Sequence, residues 1–241
     1  MIINKNNLKT LNKLFRTVLD FRALFFPNNC SACAKQLYAG EELLCSDCLF
    51  HLPRTNFHLN PENKAAKLFW GQAEIEQAAA YYFFHKGSKY QGLLHALKYK
   101  NRKDIGISLG RLYGSELKNS SFASVDLIVP VPLHYLKQRK RGYNQSAAIV
   151  QGLSETLEIP ADYANLRRHK NTETQTKKTL EERRQNVASV FEVNKPEKFS
   201  GKHILIVDDV ITTGSTLAAC AAEVLKIPDT KVSLVTLAIA D

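Results

Sequence analysis

The feature that most constrains this chain is the stretch "HILIVDDVITTGST", residues 203–216. An apolar run ends in two adjacent acids, Asp208 and Asp209, and a turn of small residues then opens the apolar-periodic segment "LAACAAEVL". Burying one carboxylate is costly, and two neighbouring carboxylates need a partner that is cationic or rich in hydroxyl groups. The pattern therefore predicts a buried strand, a binding turn and a helix, in that order.

The turn after the acids, "TTGST", has the composition of a phosphate cradle. Small residues let successive backbone N–H groups point at one spot, and the N-terminus of a helix adds partial positive charge. Carboxylates accept hydrogen bonds from sugar hydroxyls and help to hold divalent cations. Ribose 5-phosphate has the phosphate and the diol that fit both halves. The alternative is an ordinary polar turn that caps a helix.

Two other nucleotide-binding signatures are missing from the sequence. It contains neither the G-x4-G-K-[ST] loop of P-loop proteins nor a G-x-G-x-x-G turn after a strand. The acidic pair and its turn therefore do not belong to either of those classes of nucleotide site.

Four of the five cysteines form two closely spaced pairs, Cys30-x2-Cys33 and Cys45-x2-Cys48, with eleven residues between the pairs. Each pair presents two thiolates to one ion, and two such turns complete a tetrahedral site. Gly40 suits the turn of a short hairpin between them. Because four thiolates leave no open position, the zinc they hold should be structural. The remaining cysteine, Cys220, is predicted to be a small core residue.

The chain is basic, with 33 Lys and Arg against 23 Asp and Glu and a formal net charge of +10 over 241 residues. This balance favours anionic partners such as phosphates, nucleotides, nucleic acid or acidic membrane surfaces. The alternative is a solvated basic surface. Four of the five residues 137–141 are basic, within a segment, 134–146, that is predicted to be a loop.

The N-terminal segment, residues 1–26, is predicted to form an amphipathic helix with a stripe through Leu8, Leu11, Phe15 and Val18. Charged residues interrupt any signal-peptide core, and no run of 18 apolar residues occurs. We expect the helix to pack on the rest of the protein and the protein to be cytoplasmic. Peripheral contact with the inner membrane is the alternative.

Strands and helices alternate along the rest of the chain, which predicts a mostly parallel sheet covered on both faces. Ligands of such folds bind beyond the carboxyl ends of the strands. Predicted strands cover 78–84, 125–133, 188–193, 203–209 and 231–240. Predicted helices cover 88–102, 104–117, 144–158 and 214–226, and a long loop covers 164–186.

The order Asp-Asp-x-x-x-Thr-Gly-x-Thr after a strand resembles the phosphoribosyl pyrophosphate (PRPP) loop of type I phosphoribosyltransferases. With "VPVPLHYLKQRKRGYNQS", "TQT", "ERRQNV" and the four-cysteine segment, the chain from Pro27 onward resembles the ComF/GntX family of competence-associated proteins. The resemblance implies an α/β fold of the type I phosphoribosyltransferase class with a small zinc module. The predicted domains are the helix at 1–26, the zinc module at 27–60 and the phosphoribosyltransferase-like domain at 61–241.

The resemblance also implies roles for individual residues. The catalytic acids are Asp208 and Asp209, and the zinc ligands are the four paired cysteines. The remaining PRPP-loop positions are Val210, Thr212, Thr213, Gly214, Ser215 and Thr216. The pyrophosphate positions are Arg139, Lys140, Arg141, Gly142, Asn144 and Gln145. A hood that closes over PRPP is implied for 167–184, with Arg168, Lys170, Gln175, Thr176 and Arg183.

Two functions of different classes follow from the resemblance. The first is a Mg²⁺-dependent transfer of the ribosyl 5-phosphate to an unidentified acceptor, with release of pyrophosphate. The second is a non-catalytic protein that senses PRPP or a nucleotide and binds single-stranded DNA during its import. The implied partners are PRPP, single-stranded DNA and other DNA-uptake proteins at the inner membrane.

Overall fold

The computed structural model describes residues 28–168 and 190–240 of the chain. The predicted N-terminal helix and most of the predicted hood lie outside these ranges. Two compact units divide the chain between Leu52 and Pro53, and the domain boundaries at 26 and 60 stay predictions. Within the described ranges, no helix is both long and apolar enough to cross a bilayer.

The first unit, as far as it is described, is built from the two cysteine-bearing turns and one short helix, α1 (Ser46–Phe50). The backbone N–H of Ser31 donates to the carbonyl of Leu43 over 3.0 Å and ties the first turn to the approach of the second. Gly40 has a φ of 93°, which is the left-handed conformation that a tight turn demands there. The predicted turn between the cysteine pairs is therefore present.

The second unit contains a parallel four-stranded sheet with the strand order β1-β6-β5-β2. An antiparallel pair, β3 with β4, lies outside this sheet. The strands are β1 (Gln77–Phe84), β2 (Leu127–Pro130), β3 (Leu166–Arg168), β4 (Phe191–Val193), β5 (His203–Ile211) and β6 (Lys231–Ala240). The two central strands, β5 and β6, are buried along almost their whole length. This is expected of a parallel sheet that is covered on both faces.

Helices flank this sheet, so the predicted parallel α/β architecture is confirmed. Helix α6 packs on β2, β5 and α4, whereas α7 packs on β4, β5 and β6. The helices of this unit are α2 (Lys64–Lys67), α3 (Gln91–Tyr99), α4 (Lys103–Leu117), α5 (Tyr135–Arg141), α6 (Gln145–Leu157) and α7 (Ser215–Val224). Short 3₁₀ turns occur at Phe57–Leu59, Ser121–Ser124 and Pro196–Lys198.

One large core cluster lies between α7 and a face of the sheet. It includes Ile204 and Ile206 of β5, together with Leu217 and Cys220 of α7. Because side chains alternate along a strand, the intervening Leu205 faces the opposite side, where it is also fully buried. Cys220 has no exposed surface, as predicted for a core residue.

Helices α4 and α6 approach each other backbone to backbone. A Cβ atom added to Gly152 of α6 would lie 2.1 Å from the carbonyl oxygen of Ile107, and one added to Gly110 of α4 would lie 2.4 Å from that of Ile149. Real side chains never approach so closely, so glycine is required at both positions. This contact holds α6 in place, and its first turn reaches the carboxyl edge of the sheet.

The expectation of a loop at 134–146 is wrong, because much of this basic segment forms helix α5. Its residues are mostly strong helix formers, and the His134 side chain accepts a hydrogen bond from the N–H of Leu136 over 3.3 Å. Gly142, with a φ of 80°, ends the helix in the left-handed conformation. The basic side chains therefore project from a helix.

The predicted loop at 164–186 also needs a correction at its start. Leu166–Arg168 forms strand β3, which pairs with β4, and Leu166 is buried opposite Val193. A three-residue strand is too short to show a period in the sequence. Strand β2 covers Leu127–Pro130, the middle of the strand predicted at 125–133, and ends at the first of two prolines, because proline cannot donate to the sheet.

Candidate functional site

The acidic pair lies at the carboxyl edge of the sheet, near the end of the central strand β5. Asp208 is partly buried, and Asp209 retains 8% of its accessible surface. Because successive side chains point to opposite faces of a strand, the two carboxylates have different neighbours. Each of them is supported by a different element of the chain.

Asp208 accepts two hydrogen bonds at the same carboxylate oxygen, Oδ1. The Ser146 hydroxyl at the start of α6 donates over 2.9 Å, and the Asp209 backbone N–H donates over 2.8 Å. Burial and the charge of Asp209 nevertheless raise the pKa of the Asp208 carboxyl to about 7, against the opposing effect of these donors and of Lys98. At neutral pH this group is therefore poised between its two protonation states.

Asp209 is held by an ion pair with Lys98, near the C-terminus of α3. The Lys98 Nζ lies 3.1 Å from Oδ2 of Asp209, and only 22% of the lysine side chain is exposed. Sequence reasoning did not assign Lys98 to the site. The sequence does indicate part of its position, because Lys98 follows the buried Leu94 by four residues and so lies on the buried face of its helix.

The turn between β5 and α7, predicted to be a phosphate cradle, is tight and rich in hydroxyl groups. Gly214 has a φ of 76°, and a Cβ atom there would lie 3.1 Å from the Phe69 ring. The hydroxyls of Thr213 and Ser215 are 3.0 Å apart. A small cavity of about 50 Å³ is lined by Asp208, Val210 and the residues of the turn, Thr212, Thr213, Gly214, Ser215 and Thr216. One carboxylate and the cradle thus face the same space.

The predicted pyrophosphate residues fall on α5 and on the junction that follows it. Arg139 and Lys140 are exposed on the last turn of the helix. Arg141 is partly buried: its guanidinium carbon lies 5.5 Å from the centre of the Tyr99 ring, and its Nη1 donates to Oε1 of Gln145 over 2.6 Å. One of the three cations is therefore fixed, while the other two point to solvent.

Asn144 and Gln145 hold the junction between α5 and α6. The Asn144 side chain accepts from the N–H of Ser146 over 3.0 Å and donates to the carbonyl of Val131 over 2.9 Å. Gln145 is buried and donates to the carbonyl of Tyr143 over 3.1 Å. Their amides thus anchor the basic helix to the end of β2, and a role as ligand donors stays a prediction.

A wider cleft of about 590 Å³ lies beside the basic helix, between it and strand β3. Two tyrosines line it, Tyr135 with 46% and Tyr163 with 52% of their surface exposed. Arg167 and Arg168 also line it. Arg168 is thus the one hood residue of the sequence analysis that the structure describes. Lys170, Gln175, Thr176 and Arg183 lie outside the described residues.

The structure brings Cys30, Cys33, Cys45 and Cys48 together, with their sulfur atoms all within 4.8 Å of one another. The Cys33 and Cys45 sulfurs are 3.7 Å apart, close to the roughly 3.8 Å that tetrahedral Zn–S bonds would require. Burial and the neighbouring thiols raise the pKa of Cys48 to about 12. The four groups therefore cannot all ionise without a cation, and they fit a divalent metal ion.

Comparison with known proteins identifies the class of the chain. The phosphoribosyl transferase domain family matches residues 127–239, which include the acidic pair, the cradle and the basic helix. A protein of Escherichia coli O157:H7, named DNA utilization protein YhgH, is 31% identical over 201 residues, 82% of this chain and 84% of that protein. Competence protein F of Haemophilus influenzae is 31% identical over 205 residues, 80% of this chain and 89% of that protein. The chain belongs to the ComF family.

The solved structures that resemble this chain are less similar to it in sequence than these two relatives are. The glutamine PRPP amidotransferase of B. subtilis, complexed with ADP and GMP, aligns with 58% of this chain and 29% of its own, at 20% identity and a TM-score of 0.42.

The raised pKa of Asp208 predicts how stability depends on pH. The folded state holds this proton up to about pH 7, whereas the unfolded carboxyl releases it near 3.8, so the ionised group destabilises the fold increasingly as pH rises between these values. We expect Asp208→Asn to increase the free energy of unfolding at pH 8 by on the order of 2 kcal/mol, and by much less at pH 4.5. Urea unfolding at both pH values, in buffer without magnesium, measures the difference.

The matched control is Asp229→Asn, at an exposed residue that already has a positive φ of 58°. Asparagine tolerates this conformation, so the control should change stability little and equally at both pH values. A gain from Asp208→Asn that does not depend on pH would contradict the electrostatic explanation.

Proposed function

We propose that this protein binds PRPP at the carboxyl edge of its sheet and transfers the ribosyl 5-phosphate to an acceptor. The observation that carries the proposal is the cavity shared by the Asp208 carboxylate and the hydroxyl-rich turn before α7. The turn supplies backbone N–H groups, hydroxyls and the N-terminus of a ten-residue helix to the 5′-phosphate. The carboxylates accept hydrogen bonds from the ribose hydroxyls next to it.

The basic helix supports the assignment of the pyrophosphate group. Asn144 and Ser146 connect the helix junction to β2 and to Asp208, so the cations of α5 and the acidic pair belong to one framework. Pyrophosphate is strongly anionic, and Arg139 and Lys140 are free to reorient toward it from the exposed last turn. Arginine pairs with phosphate oxygens in a bidentate manner, which suits this role.

The acidic pair also fits Mg²⁺, because carboxylate oxygens are ligands that this ion prefers. Oδ2 of Asp209 faces the ammonium group of Lys98 at 3.1 Å. When bound, Mg²⁺ would offset the negative charge that develops on the leaving pyrophosphate. The residues that would help to hold it are Asp208 and Asp209.

The proposed reaction takes place at the anomeric carbon of the ribose. The bond from this carbon to the pyrophosphate oxygen breaks, pyrophosphate leaves with the electron pair, and a nucleophilic atom of the acceptor forms the new bond. The ring passes through an oxocarbenium-like state, whose positive charge the nearby carboxylates stabilise. The acceptor is not defined by the described residues. A protein that binds PRPP without turnover is the alternative.

Calorimetric titration with PRPP, with and without Mg²⁺, tests the binding step. We expect magnesium-dependent binding by the wild type and a loss of at least about 100-fold in affinity for Asp208→Asn/Asp209→Asn, because both ribose-binding carboxylates lose their charge. Asp229→Asn, remote from the carboxyl edge, should bind as the wild type does. If the wild type does not bind PRPP, the proposal fails.

Turnover is a separate measurement. Pyrophosphate release from PRPP in the presence of candidate nucleobases distinguishes a transferase from a binding protein. Binding without any release, across purine and pyrimidine bases, would leave the sensing role as the function.

We propose further that Cys30, Cys33, Cys45 and Cys48 hold one structural Zn²⁺. The support is the close approach of their four sulfurs. Cys48→Ser should reduce the zinc content, measured by elemental analysis, from about one ion per chain to near zero, since three thiolates hold the ion far more weakly. Cys220→Ala removes a buried cysteine outside the cluster and should leave the zinc content unchanged. Full zinc retention by Cys48→Ser would contradict the assignment.

A specific observation favours a second function, binding of single-stranded DNA during its import. The cleft beside α5 combines two exposed tyrosines, Tyr135 and Tyr163, with two arginines, although the sequence shows no aromatic stripe. Aromatic rings that stack on bases and cations that contact phosphates are the two parts of such sites. The name competence protein F, borne by a relative, agrees with a role in DNA uptake.

Fluorescence anisotropy with labelled oligonucleotides tests this function. Tyr135→Ala/Tyr163→Ala should weaken binding of a mixed-sequence 20-mer by about 10-fold or more, because each stacked base contributes about 1–3 kcal/mol, while PRPP affinity stays unchanged. Tyr38→Ala, an exposed tyrosine of the first unit, is the control. Neutralising Arg139, Lys140 and Arg141 together should weaken both ligands if they share the basic helix. Retained, salt-dependent DNA affinity would rule out a shared site.

A further inference from the structure

The last residues of helix α3 contact the site at three consecutive positions. The carbonyl of Leu97 accepts a hydrogen bond from the Tyr143 hydroxyl at the helix junction. Lys98 forms the ion pair with Asp209, and the Tyr99 ring lies under the guanidinium of Arg141. One short segment therefore touches both the acidic pair and the element proposed to bind pyrophosphate.

The position of Lys98 is electrostatically unusual. Among residues 28–168 and 190–240, it is the one basic side chain within ion-pair distance of Asp209, and both partners are largely buried. An ammonium group at 3.1 Å from a carboxylate oxygen covers the oxygen that a divalent cation would coordinate. Two cations at one oxygen repel each other strongly in a partly desolvated site, so Lys98 and a metal ion cannot share it unless an anion separates them.

We propose that Lys98 is a built-in counter-ion that competes with divalent metal for Asp209, so that metal enters the site only together with an anionic ligand. The phosphates of that ligand attract the ammonium group away from the carboxylate and supply the further oxygens that the metal needs. The inference deepens the proposed function and rests on it for the identity of the anionic ligand. The competition itself depends only on Lys98 and Asp209.

The hydroxyl of Tyr82 is suited to assist when a metal ion replaces the Lys98 ammonium group at Asp209. The hydroxyl of Tyr82 in β1 is fully buried and has no hydrogen-bond partner among the described residues. Burial and the negative charge of Asp209 both raise the pKa of this hydroxyl. A buried, protonated hydroxyl without a partner is a donor that the Asp209 carboxylate can turn toward once the ammonium group is withdrawn, which lowers the cost of the exchange.

Binding of Mn²⁺ alone, followed by the loss of its free-ion signal in electron paramagnetic resonance, tests the competition on the full chain purified with zinc. Lys98→Gln should bind Mn²⁺ at least about 10-fold more tightly than the wild type, because a competing positive charge is gone. Lys98→Met, which keeps the aliphatic stem, serves as the second variant if the first does not fold. Lys100→Gln, an exposed neighbour, should bind as the wild type does.

Two further variants test whether the gain in Mn²⁺ affinity arises at Asp209. Asp209→Asn, added to Lys98→Gln, should abolish the gain, and Lys98→Arg, which keeps the charge, should not produce it. If Mn²⁺ affinity is the same with and without the Lys98 charge, or if the gain survives Asp209→Asn, Lys98 does not compete at this carboxylate and the inference is overturned.

Repeating the titration with PRPP separates this inference from the proposed function. We expect PRPP to increase Mn²⁺ uptake by the wild type and to have a smaller effect on Lys98→Gln. If PRPP changes neither protein but Lys98→Gln still gains Mn²⁺ affinity, the proposed function fails and the competition stands. If PRPP promotes uptake by the wild type but Lys98→Gln shows no gain, the proposed function stands and the role of Lys98 is overturned.

Discussion

Two adjacent carboxylates at the end of a buried strand repel each other, and the elements around β5 are arranged to accommodate that repulsion. Asp209 is paired with a lysine from α3, whereas Asp208 receives a hydroxyl from α6 and a backbone N–H from its neighbour. Even so, burial leaves Asp208 with a raised pKa. A fold keeps such a charge pair only against a cost in stability, and sites that bind ligands are where such costs are found.

The two acids have different neighbours because successive side chains of a strand point to opposite faces. Asp208 opens onto the cavity of the hydroxyl-rich turn, while Asp209 is directed to the cation on α3. Burial raises the pKa of the Asp208 carboxyl, whereas the charge of Asp209 is neutralised by its ion pair with Lys98. Two chemically identical side chains thus have different electrostatic surroundings at the same edge of the sheet.

Local patterns in the sequence predicted the parts of the fold that depend on local physics. The apolar run before Asp208 and the small residues after it specified strand β5, the turn and α7, and the two cysteine pairs specified their cluster. The loop expected at 134–146 was wrong because a run of basic residues looks like solvated loop, although lysine and arginine are good helix formers. Ser146 and Lys98 were not foreseen as partners of the acids. Helical spacing places Lys98 on the buried face of α3, but only the topology of the sheet brings it and Ser146 to the acidic pair.

The glycine contact between α4 and α6 limits how this molecule can move. Helices that touch through long side chains can slide by exchanging rotamers, but Gly110 and Gly152 leave only backbone at the contact. We therefore expect α4 and α6 to move as one rigid unit, and Ser146 of α6 moves with them. A displacement of the basic helix relative to α6 would change the backbone of the junction at 142–144, where Gly142 has the left-handed conformation that glycine adopts at least cost.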